Sequence, residues 1–323
     1  MNRYRIIPAL LVTATACVSF AGREEMGTFD PDQAPVTETV VAAGDTTFVL
    51  RGESYWLLAE QRAALWRRDV LDDVTWRWRQ LYGAAPAPVA VKLALARRAQ
   101  PDTARERDAS DTWRGMPLVE ARLVGARVTR EGDVRAERRA RGWQQPSAAL
   151  AARLAGVWLR TAARDAEPSV EPVIPAWLEA GTALTLAGAD VAERFGAFRA
   201  GRMTVAELVA ARWPSSRSLA AVLDTRDDTS YSSSYAASMQ ARRLPRPSLR
   251  GGDAERGRDF AAQAAGLLAY LRERDPAAVQ RILHGESLGE AIAASPTLPH
   301  DLDALDAAWR KWLKDRPARM RRS

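Results

Sequence analysis

A chain of 323 residues, 47% of them apolar, can bury a sizeable core and belongs among ordinary globular proteins, not disordered or fibrous ones. Its 47 Lys and Arg exceed its 40 Asp and Glu by seven, but the cations are mostly Arg scattered through Ala-rich segments with acids interleaved, and most Trp residues stand at helical spacing among apolar neighbours. That pattern argues against a nucleic-acid binder, and one cysteine excludes an internal disulfide.

Arg3 and Arg5 precede an apolar run from Ile6 to Ala16 that is too short for a stable transmembrane helix and suits a signal-peptide core, so residues 1–21 are expected to direct export. Cys17 ends the string LVTATAC, small residues before a cysteine, as in a bacterial lipoprotein processing box. Ala14 stands where a larger aliphatic residue is usual, and Ala21 offers a competing ordinary cleavage site. The two outcomes are a lipoprotein anchored to a membrane through Cys17, periplasmic or associated with the outer membrane, and a simply secreted protein. Residues 22–45 are polar and lack a helical period, which predicts a flexible linker, with the folded body spanning 46–315 and a basic tail over 316–323.

Apolar residues at three- and four-residue intervals predict one amphipathic helix from Ser54 to Leu81. Alternation then predicts strands over Pro86 to Leu95 and Leu118 to Val128, with a charged loop from Gln100 to Gly115 between them. Past Trp143 the pattern is helical. Ser147 is a candidate cap for a helix reaching Ala163, Pro175 opens one reaching Ala187, and Thr204 with Glu207 has the spacing of a capping box. Leu223 to Arg258 is predicted to be a surface loop, followed by helices over Phe260–Arg274, Pro276–Leu283, Leu288–Ala294 and Leu302–Asp315. The fold class expected is α+β, a small N-terminal sheet with helices followed by a mostly helical C-terminal half.

Residues 150–159 read LAARLAGVWL and residues 175–188 read PAWLEAGTALTLAG. Together these stretches resemble the peptidase MA-like branch of the gluzincins, whose zinc helix has the form LAHELAHVWL and is followed by a helix of the form PxWLxEGxAxYLAG. Residues 260–271 (FAAQAAGLLAYL) and the run from Leu288 to Leu313 resemble the family's closing helices. The resemblance implies a zincin-like domain, and it implies that the reactive residues are gone. The two His positions fall on Ala152 and Gly156, the general base on Arg153, the third ligand on Ala180, and the family's Tyr on Ala261. Zinc hydrolysis of this kind needs two imidazoles four residues apart on one helix face and a neighbouring carboxylate to take a proton from the bound water. None of these groups is present, so the resemblance implies a pseudoenzyme without cofactor or metal. Its retained cleft would bind a peptide or protein partner, with one sheet edge available for strand addition. Arg153 is expected to reach solvent through that cleft or to pair with a carboxylate such as Glu179, because an isolated guanidinium is costly to bury.

The rival reading is an active hydrolase, a metallopeptidase with atypical ligands or a serine enzyme. Residues 285–289 read GESLG and match a nucleophile-elbow pattern around Ser287, with His284 adjacent. Ser287 and Glu290 also have capping-box spacing, which explains both without chemistry. His300 sits between Pro299 and Asp301, at a helix entry. Asp72 and Asp73 are adjacent, which points them apart on a helix.

Overall fold

The computed structural model describes residues 35–42, 45–60, 62–96, 112–124, 148–166, 168–169, 172–188, 203–211 and 251–320. Cys17, Ser147 and the segment 223–250 lie outside the described residues. The architecture is α+β: a six-stranded mixed sheet and, among the described residues, eight α-helices. No described helix is long and apolar enough to cross a membrane.

The chain opens with β1 (Glu38–Ala42) and β2 (Asp45–Arg51), antiparallel, with Ala42 opposite Asp45. This corrects the expected start of the body at residue 46. Thr39, Val40 and Val41 favour extended backbone, and β1 lies within the stretch expected to be linker. The second correction concerns the helix expected from Ser54. Tyr55–Ala59 forms β3, and only after a 3-10 segment (Arg62–Arg67) does α1 (Arg68–Tyr82) begin. The reason is burial on both faces. Tyr55, Leu57 and Ala59 enter the main core while Leu58 and Trp56 face the other side, so YWLLA is a continuous apolar run whose period cannot distinguish strand from helix. Helix α1 ends at Gly83, whose φ of +72° is a conformation that other residues reach only with strain.

From α1 the chain enters β4 (Val89–Ala96), parallel to β3. The expected loop to Gly115 contains β5 (Thr112–Trp113), which turns back through Arg114 and Gly115 into β6 (Met116–Val124), parallel to β4. The sheet order is β1-β2-β3-β4-β6-β5. One face carries Leu50, Leu57, Val91, Leu93 and Val119 into the helical layer. The other holds a smaller cluster of Val49, Leu58 and Ala90, flanked by Val40, Trp56, Trp113 and Leu118.

The helical half comprises α2 (Ala148–Ala166), α3 (Ala176–Ala187), α4 (Val205–Ala210), α5 (Gly251–Arg274), α6 (Pro276–Leu283), α7 (Leu288–Ala293) and α8 (Leu302–Met320). Two boundaries differ from expectation. Helix α5 begins nine residues before Phe260, within the expected loop, because Ala254, Glu255 and Arg256 are good helix formers although they show no apolar stripe. Helix α8 continues into the expected tail as far as Met320. The capping boxes at Thr204 and Ser287 both form. Helix α3 is the centre of the half. Nine of its twelve residues are buried, including Trp177, Leu178, Leu184 and Leu186, as befits a helix with neighbours all round.

Candidate functional site

The site expected from sequence lies where α2 meets α3, and neighbouring elements hold both helices firmly. On one flank, Tyr82 of α1 and Thr182 of α3 share a buried hydroxyl–hydroxyl hydrogen bond of 2.6 Å. Arg77 donates to the Leu186 carbonyl at 2.9 Å, placing a cation at the C-terminus of α3, and its other nitrogen pairs with Asp73 at 2.5 Å. On another face the backbones of α3 and α5 nearly touch. A Cβ added at Gly181 would lie 2.8 Å from the Ala264 carbonyl oxygen. Trp78 of α1 stacks edge-on against Trp158 of α2, with centroids 5.3 Å apart.

Within this frame the expected positions fall in one continuous core. Ala152 is 3% exposed, Ala180 1% and Ala261 0%, and Gly156 is buried as well. None of the four has a side-chain donor atom, so the zinc of a gluzincin does not fit these residues. Among the described residues no three His, Cys, Asp or Glu side chains gather closely enough to hold a metal ion.

A different side chain fills the space beside Gly156. Glu179, the residue before Ala180, places its Oε1 2.8 Å from where a Cβ on Gly156 would stand, and both Nη atoms of Arg160 lie 3.3 Å from the same point. The missing side chain at Gly156 thus admits a carboxylate from α3. That Oε1 is buried with no hydrogen-bond partner. Burial pushes the Glu179 carboxyl above the usual range, and the nearby Arg160 guanidinium pulls it partly back.

Arg153 does not take the partner suggested for it. Its Nη1 donates to the Glu120 carbonyl on β6 at 2.5 Å, and the cation facing Glu179 is Arg160. A half-buried guanidinium hydrogen-bonded to a carbonyl meets the physical requirement behind the expectation. The bond also ties α2 to the outer strand. From Leu118 to Val124 β6 pairs with β4 on one side, while β5 covers only Met116 and Pro117, so among the described residues the rest of that edge has no strand neighbour.

Ser287 is an N-cap. Its hydroxyl donates to the Glu290 carboxylate at 2.7 Å, and its backbone N–H donates to the same carboxylate at 2.9 Å, so Glu290 titrates below the usual carboxylate range. His284 is the C-cap of α6, and His300 is exposed ahead of α8. Asp72 and Asp73 do point apart, yet neither is idle, since Asp72 accepts from the Tyr55 hydroxyl at 2.7 Å. Sequence reading missed Arg160 and Glu120. The first carried no signal beyond its helical position, and the second acts through its backbone. Comparison with protein-family models, with curated proteins and with solved structures finds no match.

Proposed function

We propose that this chain is a catalytically silent, zincin-like protein of the cell envelope, exported and held by lipid at Cys17, that binds an extended peptide or protein segment along β6. One observation carries the reading. Gly156 of the zinc-helix pattern packs against Glu179, the neighbour of Ala180, the third-ligand position, and this contact between the two stretches supports the reading, with no side-chain donor atoms left at the ligand positions. An incoming strand would hydrogen-bond to the edge from Leu118 to Val124. Arg153 braces that edge from α2, in the place where an active relative has its general base. A binding mode that depends on backbone hydrogen bonds survives the loss of metal and base.

The test is a screen of immobilised extended peptides, with hits mapped by hydrogen exchange. The reading expects binding that is indifferent to chelators, with slowed exchange of the amides from Leu118 to Val124. Chelator-sensitive cleavage of the peptides, or protection confined to other elements, would refute it in favour of an active hydrolase or of a different surface.

A further inference from the structure

The second face of the sheet carries a cluster that the reading above does not use. The turn between β5 and β6 has two residues, Arg114 and Gly115, with φ of +52° and +77°. Positive φ at both central positions is the hairpin geometry that selects Asn-Gly or Gly-Gly, and an arginine there carries a backbone penalty. Strain of this sort persists where surrounding contacts hold it. The contacts are specific. Trp113 meets Trp56 of β3 in a tilted contact with centroids 5.4 Å apart, and both rings pack on the second face beside Val49, Leu58 and Ala90. The Arg114 guanidinium lies 4.5 Å from the Trp113 ring centroid and 5.9 Å from that of Trp56. From β2, Arg51 lies over the same Trp56 ring at 5.3 Å. Glu38 of β1 pairs with Arg114 at 2.8 Å, whereas the Arg51 guanidinium has no carboxylate partner among the described residues.

Two guanidinium groups, one from β2 and one from the β5–β6 turn, therefore converge on one indole, and only one of them is paired with a carboxylate among the described residues. The aromatic rings fix both cations and lower the entropic cost of ordering them, while the exposed side-chain nitrogens keep donors free for an anion. Planar forks of N–H donors match the oxygens of phosphate or carboxylate, and the one net positive charge left over favours an anionic group.

We propose that Arg51, Arg114, Trp56 and Trp113 form a binding site for an oxyanion, the phosphate or carboxylate group of a ligand whose apolar part rests against the two tryptophans. The site is separate from the β6 edge and stands whether or not a peptide binds there.

The test uses the full chain labelled with nitrogen-15. The arginine Nε–H resonances of Arg51 and Arg114, assigned from R51Q and R114G, are followed during titration with inorganic phosphate and, separately, with acetate. Glycine adopts the Arg114 backbone conformation without strain, so R114G keeps the turn while removing the cation. The expected result is a saturable shift of both resonances with at least one of the two anions, weakened about tenfold or more in R114G and in R51Q, as follows from losing one charge-assisted hydrogen bond. Saturation by phosphate alone or by acetate alone identifies which oxyanion the site takes. The proposal is overturned if neither anion gives saturation, if the resonance of Arg272 on α5, which donates to Gln80 of α1 at 3.1 Å, shifts equally, or if R114G binds as the wild type does.

Discussion

Replacing Gly181 with alanine tests how α3 is seated. The added Cβ would stand 2.8 Å from the Ala264 carbonyl oxygen, 2.9 Å from its carbon and 3.2 Å from the Ala265 nitrogen. All three are backbone atoms of α5, in a turn whose Ala264 is fully buried, so no side chain can swing aside. Ordinary carbon–oxygen contacts begin near 3.3 Å, so the two helices must part by about half an ångström. Overpacking of this kind costs roughly 1–3 kcal/mol, and a gap of that size along a packed helix pair adds lost dispersion. Alanine recovers about 1 kcal/mol of helix propensity, leaving a net loss near 2 kcal/mol. For a chain of 323 residues that is a fall in Tm of about 3 °C. Gly289→Ala is the control. Its Cβ would meet only the Ser287 Oγ, at 3.9 Å, so the same substitution should be neutral or stabilising by up to about 1 kcal/mol. Urea denaturation of both variants measures the difference. If Gly181→Ala were as stable as the wild type, the close α3–α5 crossing, and with it the seating of the candidate site, would be refuted.

Three further outcomes follow. Glu179→Gln should stabilise the protein at neutral pH, because burial raises the carboxyl's folded-state pKa. The stability that protonated Glu179 contributes is complete below the ordinary value of 4.5 and is lost as pH rises through the raised one, so wild type and variant should converge in acid and separate above it in chemical denaturation across pH. Tyr82→Phe removes the 2.6 Å bond to Thr182 in a dry setting and should cost about 1–2 kcal/mol, and a double-mutant cycle with Thr182→Val should recover most of it as coupling. Ser287→Ala should weaken α7 modestly while leaving unchanged any hydrolysis measured on ester or peptide substrates, and fluorophosphonate labelling of Ser287 would contradict its assignment as a cap.

Where local chemistry decides structure, the sequence was readable. Pro276, Thr204 with Glu207 and Ser287 with Glu290 mark helix starts through chemistry confined to a few residues, and α2 and α3 fall within a few residues of their expected limits. Long-range context hid the rest. YWLLA becomes a strand because β2 and β4 flank it, and the run reads alike in either conformation. Glu179 enters the space at Gly156 only because α2 and α3 cross there, and Arg153 finds Glu120 across 33 residues of chain. The contacts of Gly156 and Arg153 with Glu179 and Glu120 thus depended on the packing and left no trace in the string.

The proposed function requires α2 and α3 to hold the frame of a metal site that lacks its donors, and zinc content after introducing those donors tests this directly. A variant with Ala152→His, Arg153→Glu, Gly156→His and Ala180→Glu, together with Glu179→Ala to vacate the space beside Gly156, should retain about one zinc per chain through dialysis, while the wild type retains none. Stoichiometric zinc in the wild type, or a variant that keeps its helical circular dichroism and holds no zinc, would contradict the claim.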